Sequence, residues 1–329
     1  MTPDPATILP QSLVSGRRTG ARGRVLSLVV AVAFAACSEG GGDAAAQNGA
    51  RGPEFSADSA YALLRKQVEF GPRVPGTPGH AAQLDWMTSL LRQYADTVIL
   101  QRFSHEAGET TLELTNVFAR FRPDLADRIL LLAHWDTRPT ADAERDPARR
   151  EQPIPGANDG ASGVAVLLEM ARLFQRQAPP VGVDILLVDG EDYGPYSDDM
   201  YLGAKHFAAT MSAYRPLYGV LVDMVGDENP RFPMEGNSRE SAPEVVERVW
   251  RLAEEMGHGD VFERRNGGYV TDDHVELNRA GIRTIDIIDF DYGPANSYWH
   301  TLEDDVHHTS PRGLGVVGRV LTALIYRGG

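Results

Sequence analysis

Ile129 to Ala133 reads I-L-L-L-A, a continuous apolar run of the kind that forms a central β-strand covered on both faces. Segments 183–188, 218–222 and 283–288 are further strand-length, mostly apolar stretches. Around them lie segments with helical character: 161–177, 202–213, 242–256 and a last helix from about 311. Strands that alternate with helices build a parallel sheet, because parallel neighbours need a crossover. Upstream, Ser56 caps a helix that reaches about Phe70, a Pro/Gly loop follows, and a second helix runs from about His80 to Tyr94. Residues 97–104 and 111–121 read as two strands about a turn at Gly108, a hairpin at one edge. The expected fold class is α/β: a three-layer α/β/α sandwich with a mixed, mostly parallel central sheet, in one domain spanning 56–329.

The first 55 residues stand apart from that domain. Arg17, Arg18, Arg22 and Arg24 precede an uncharged run from Val25 to Ala36. Such a run falls short of the roughly 20 residues that span a bilayer, but it suits the apolar core of a signal peptide. It ends in F-A-A-C, small residues before the chain's only cysteine, Cys37. That ending resembles the bacterial lipoprotein signal, in which the cysteine is lipidated and becomes the new N-terminus. The expectation is a signal peptide over 1–36, a lipid anchor through Cys37 at the periplasmic face, and a flexible tether over 37–55, where small polar residues cannot bury enough surface to fold. An ordinary cleaved signal and a soluble periplasmic or secreted protein is the alternative.

A single cysteine excludes an internal disulfide framework. A formal charge of -14 argues against a nucleic-acid partner, which needs clustered Lys and Arg. Where the acids stand is more telling than their number. In open α/β sheets ligands bind beyond the carboxyl ends of the strands. After 129–133 comes His134-Trp135-Asp136, after 183–188 comes Asp189-Gly190-Glu191-Asp192, after 218–222 comes Asp223, and beyond 283–288 lies Trp299-His300. Asp159 sits in G-A-N-D-G-A-S-G, on the way into helix 161–177. Unpaired acids at the ends of buried strands each cost several kcal/mol, of order 1–5, so a divalent cation is the economical way to hold them together. Asp, Glu and His match the oxygen and nitrogen preferences of zinc. No G-x-S-x-G elbow or phosphate-binding G-x-x-x-x-G-K-[ST] loop is present.

His134-x-Asp136, the Asp159 loop, the pair Glu191-Asp192, Asp223, T-D-D-H at 271–274 and Y-W-H-T at 298–301 resemble the co-catalytic zinc aminopeptidases. They resemble still more the related glutaminyl-peptide cyclotransferases, in particular their bacterial branch, from about residue 56 to the end. The resemblance implies Asp159, Asp192 and His300 as zinc ligands and Glu191 as general acid/base. It implies Asp223 and Asp272 as a hydrogen-bonded carboxylate pair and Trp299 as a wall of the substrate pocket. In the aminopeptidases His134 and Asp223 hold a second zinc bridged at the Asp159 position, so one ion is expected here and two are the alternative. Asp136 is expected to orient His134. Asp stands at 192 where Glu is commoner, one methylene shorter, so the backbone must come closer to the metal.

The activity implied is cyclisation of N-terminal glutamine to pyroglutamate with loss of ammonia, on peptides or proteins, by a monomer. The alternative is hydrolysis of N-terminal residues by a zinc aminopeptidase. A third reading is a binding protein that kept the fold and lost the chemistry. Asp272-Asp273-His274 supplies an acid that the hydrolytic scheme does not call for, which tilts the choice toward the cyclase. Loop 137–158 is long enough to be a lid or binding loop. Segments 193–201 and 289–298 are candidates for the pocket rim. His80, His105, His206, His258, His307 and His308 read as surface or helix-end residues, and Asp189 and Asp286 as strand-end acids near the site.

Overall fold

The structure, a computed structural model, describes residues 52–327; the expected signal peptide, Cys37 and the tether up to residue 51 lie outside them. Ser56 accepts the N–H of Ser59 and opens α1 (Ala57–Val68), and α2 (Pro78–Tyr94) follows with Thr77 as its cap. Then come β1 (Thr97–Ala107), β2 (Thr110–Phe121), β3 (Arg128–His134), α3 (Ala161–Arg176), β4 (Gly182–Val188), α4 (Leu202–Thr210) and β5 (Tyr218–Asp223). The chain continues through β6 (Phe232–Met234), α5 (Gly236–Ser241), α6 (Pro243–Glu255), β7 (Phe262–Asn266), α7 (Asp273–Arg279), β8 (Thr284–Ile288) and α8 (Pro311–Tyr326).

The main sheet has the order β1-β2-β4-β3-β5-β8. β3, β4, β5 and β8 run parallel, while β1 and β2 form the antiparallel hairpin at one edge. The expected sandwich is therefore present. The apolar runs serve both faces at once: Ile129, Leu131 and Ala133 pack with α1, α2, α3, α6 and α8, whereas Leu130 and Leu132 pack with Phe207 of α4 and Leu277 of α7. Phe55 is buried in the first of these cores, so packing begins one residue inside the expected tether.

Sequence periodicity misses three features. The helix expected at 242–256 is preceded by the short α5, with Pro243 at the first turn of α6. β6 and β7 pair with each other outside the main sheet and are too short to show alternation. α7 is under two turns long, and its first turn holds Asp273 and Glu276, so no apolar stripe announces it.

Because β3, β4, β5 and β8 are parallel, their carboxyl ends share one rim, and their amino ends share the other. The amino-end rim is electrostatically closed. Asp184 on β4 accepts from Arg128 Nε at 2.7 Å, from Arg128 Nη2, from Arg120 at 3.1 Å and from the Tyr214 hydroxyl at 2.7 Å. The remaining Arg128 donors reach the carbonyls of Phe121, Arg122, Leu125 and Val183. Removing one partner of a buried pair strands the other. Asp184→Ala should therefore cost about 3–5 kcal/mol in urea unfolding. Arg120→Ala, whose side chain is 28% exposed, should cost about 1 kcal/mol or less. Equal losses in the two variants would show that Asp184 is not the centre of this network.

Candidate metal and active site

At the carboxyl-end rim the strands deliver their chemistry. β3 ends on His134 and β5 on Asp223, and Glu191-Asp192 lies in the turn after β4. Asp136 fixes that turn: its two carboxylate oxygens accept the N–H groups of Glu191 and Asp192, both at 3.1 Å. Asp304 does the same for the Asp159 loop, accepting from Asn158 at 2.7 Å and Asp159 at 3.3 Å. Gly160 is needed next to Asp159 because a Cβ there would lie 2.5 Å from the His134 ring. His300 has φ +55°, a strained conformation for a residue with a side chain. Loop 137–158 holds it there: Ala143 N–H bonds the His300 carbonyl at 3.2 Å, and Asp142 Oδ1 lies 3.2 Å from Nδ1.

Asp159, Asp192 and His300 come together, with one donor atom of each within 4.8 Å of the others. His300 Nε2 is 3.4 Å from Asp192 Oδ1 and 3.6 Å from Asp159 Oδ2. Donors about 2.0–2.1 Å from a tetrahedral zinc stand roughly 3.3 Å apart, so this trio fits the ion. Asp192 Oδ2 is buried without a hydrogen-bond partner, which leaves it free to bind one. A second trio, His134, Asp159 and Asp223, shares Asp159. There His134 Nε2 is 3.0 Å from Asp159 Oδ1 and 3.2 Å from Asp223 Oδ1. Asp136 belongs to neither trio. Its two oxygens serve the 191–192 turn, and Oδ1 also lies 3.6 Å from His134 Nδ1, where its charge favours the protonated ring.

The cluster carries more negative charge than its bases offset. Burial pushes Glu191 well above the usual carboxylate range, and Asp272, Asp192 and Asp273 add to it against the opposing pull of His134. Burial, then Asp223, raises Asp272 to about 7. Asp223 is likewise raised, by burial first. In Asp159 burial is outweighed by His134 and His300, which hold it below its ordinary value. Burial would lower His300, but Asp192 and Asp142 outweigh it and raise it to about 9. Asp223 and Asp272 open into the same cavity, and after burial Asp223 is the largest charge acting on Asp272, whose own Oδ1 accepts the Asp273 N–H.

Asp159, Glu191, Asp192, Asp223, Asp272 and His300 all open into one cavity of about 310 Å³. Trp299 forms part of its wall, its ring stacked on His300 at 3.6 Å and edge-on to Phe290 at 5.2 Å. Met200, Tyr201 and Phe290 come from the two segments expected at the rim. Arg138 was not singled out from the sequence, although it follows His134 and Asp136 in H-W-D-T-R-P; it reaches into the cavity and bridges Asp192 at 2.5 Å and Asp142 at 2.8 Å. Asp142 and Asp304 carry no local signal, since their roles exist only once distant loops meet. His80 is at a helix end as expected, but it is buried, stacked on Trp135 at 4.2 Å and bonded to Asp189 at 2.9 Å.

The sequence profile described as peptidase family M28 matches residues 116–325. The chain belongs to peptidase family M28. It is 40% identical to a glutaminyl cyclase of Bacteroides thetaiotaomicron solved with N-acetylhistamine, with a TM-score of 0.81 over 84% of this chain and 99% of that one. A Zn-dependent exopeptidase from Parabacteroides distasonis is similar at 39% identity and a TM-score of 0.81, over 84% of this chain and 99% of the other. The glutaminyl-peptide cyclotransferase of Bos taurus is 23% identical over 290 residues, 77% of each chain. M28 membership implies zinc, and the oxygen and nitrogen donors assembled here fit that ion.

Behind Asp272 this M28 chain has a second buried group. Asp272, His274 and Asp286 lie within 4.8 Å of one another, and His274 Nε2 is 3.2 Å from Glu235, which is anchored by the N–H groups of Asn237, Ser238 and Val270. Neither Asp286 oxygen has a hydrogen-bond partner, and burial, then Asp272 and Asp223, pushes its carboxyl well above the usual range. The folded chain thus keeps a proton that the unfolded chain releases above about pH 4. Native stability contributed by that proton is lost as pH rises toward the folded value, by at most about 1.4 kcal/mol per pH unit. Asp286→Asn cannot titrate. Its melting temperature relative to the parent should climb as pH rises above about 4, and a difference independent of pH would show that Asp286 is ionised in the fold.

Proposed function

We infer that this chain is a zinc-dependent glutaminyl-peptide cyclotransferase, converting N-terminal glutamine to pyroglutamate with release of ammonia. The observation that carries the reading is the placement of Glu191. It is buried next to ligand Asp192, and the same cavity holds Asp272 and the Trp299 wall. The solved cyclase at 40% identity, matched over nearly its whole length, supports the same choice.

Asp159, Asp192 and His300 would hold the zinc, which when bound supplies Lewis-acid polarisation of the substrate amide. The chain's own residues do the rest. The α-amine attacks the side-chain amide carbon, a C–N bond forms, and the bond to the amide nitrogen breaks. Glu191 takes the proton from the attacking amine and returns it to the departing nitrogen, which leaves as ammonia. Its raised proton affinity suits both transfers. Asp272, held near neutrality by burial and Asp223, can keep a proton and donate a hydrogen bond to the amide nitrogen. Nucleophile and electrophile belong to one residue, so the cavity mainly has to fold the side chain back on the amine, and the Trp299 face limits the alternatives.

Aminopeptidase activity is the second reading, favoured by the trio His134, Asp159 and Asp223, which could hold a further ion. The cyclase reading requires one. We propose too that the protein is exported and tethered by Cys37, acting as a monomer on peptides outside the cytoplasm; the arginines and apolar run before Cys37 support this.

Two peptides, one beginning with Gln and one with Leu, decide between the chemistries. Zinc-loaded protein should release ammonia from the first with chain length kept and leave the second intact. A freed N-terminal amino acid from either would establish the peptidase. Glu191→Gln should keep its zinc by elemental analysis and lose about 10²–10⁴-fold in turnover; full activity in that variant would remove Glu191 from proton transfer.

A further inference from the structure

Next to the catalytic cavity lies a second one of about 290 Å³. Tyr269, Val270, Ile288 and Phe290 line both, so the two are separated only by a ridge of side chains. The far side of the second cavity is made by Pro233 of β6 and by Gly267 and Gly268 after β7. Two of the ridge residues are among the large apolar side chains that the described residues leave in solvent: Tyr269 is 66% exposed and Phe290 42%. Adjacent exposed aromatics over a concave apolar surface mark a place that a ligand covers.

Several polar groups around this cavity are engaged within the protein, while Asp291 and the exposed parts of Arg231 and Arg265 stand at its solvent edge. Arg265 and Arg231 share Glu263, at 2.6 and 3.5 Å. Asp289 accepts the N–H groups of Arg231 and Asp291. Glu235 accepts three backbone N–H groups and the Ser238 hydroxyl. Between these edge groups the lining is apolar wall: Pro233, Val270, Ile288 and Phe290. At Gly268 a Cβ would meet nothing within 4 Å, so there is open space as well.

We propose that the second cavity is a substrate subsite, which receives an apolar or aromatic side chain two residues downstream of the cyclising glutamine. This rests on the cyclase reading and extends it. With the glutamine in the catalytic cavity, the proposal takes its carbonyl end out over the ridge, where the two cavities adjoin. In an extended peptide successive side chains point to opposite sides, so the first and third residues point the same way. Their separation along the chain is about 7 Å. The third side chain therefore drops beyond Tyr269 and Phe290 while the second points to solvent.

Gly268 lines only the second cavity and its backbone is not left-handed, so Gly268→Trp fills the space without reshaping the turn or the catalytic cavity. Gly268→Ala is the smaller control, and melting temperatures report whether each variant folds. Three substrates are compared as amides: Gln-Ala, Gln-Ala-Gly and Gln-Ala-Phe. For the parent, kcat/KM for Gln-Ala-Phe should exceed that for Gln-Ala-Gly by about tenfold, the order that partial burial of one aromatic side chain gives. In Gly268→Trp the ratio should fall to about twofold or less, with Gln-Ala turnover unchanged and Gly268→Ala in between. A parent ratio near one, or a preference that survives the Trp variant, overturns the subsite while leaving the cyclase intact. Failure to cyclise Gln-Ala itself overturns the activity, and the subsite with it.

Discussion

Buried negative charge concentrated at one end of a parallel sheet is the constraint that organises this molecule. Parallel strands bring their carboxyl ends to a common rim, and here that rim collects Asp159, Glu191, Asp192, Asp223 and Asp272. His134, His300 and Arg138 offset only part of it. Burial first, and then the neighbouring carboxylates, raises the proton affinities of Glu191, Asp223 and Asp272. The ones that stay ionised most easily are those nearest the bases, Asp159 above all. Within one acidic cluster, burial and the neighbours of each acid thus separate Asp159, held low, from Glu191, Asp223 and Asp272, pushed up.

The opposite rim shows what the same charges look like when nothing is left for a ligand. Asp184 and Arg128 are as buried as the catalytic acids, but every strong contact they make is within the protein. The difference is one of function: a closed network holds strand ends together, whereas an open one leaves Asp192 Oδ2 available. Between the two rims the apolar strands need no polar help, since each alternates its side chains between two cores.

The strands and the acids and histidine that directly follow them were legible in the sequence because both leave contiguous signals, whereas the grouping of Asp159 and His300 with Asp192 came from the family resemblance. An unbroken apolar run names a central strand, and the acid or histidine just after it is placed at the rim by topology alone. Glu191, Asp192, Asp223 and His134 follow from that rule. Asp142 and Asp304 do not, because what they hold, His300 and the Asp159 loop, is 158 and 145 residues away from them in the chain. Asp136 was noticed for its spacing to His134, yet the structure uses it on the backbone of another strand's turn. α7 and the β6–β7 pair were hidden for a simpler reason: elements of three to seven residues are too short to show a period.

That use of Asp136 also answers the question raised by the short side chain at 192. A carboxylate one methylene shorter than Glu needs its backbone closer to the ion. Two hydrogen bonds from one buried carboxylate draw the 191–192 peptide toward β3, and Arg138, only two residues along, braces Asp192 from the side. The same pull sets Glu191, whose N–H is the other donor. Glu191 and Asp192 are therefore positioned by a single group. On the cyclase reading proposed above, the acid that distinguishes the two chemistries is the one that shares the cavity with Glu191. Asp272 supplies it as the N-cap of a short helix whose next residues are tied to the buried Asp286–His274–Glu235 group.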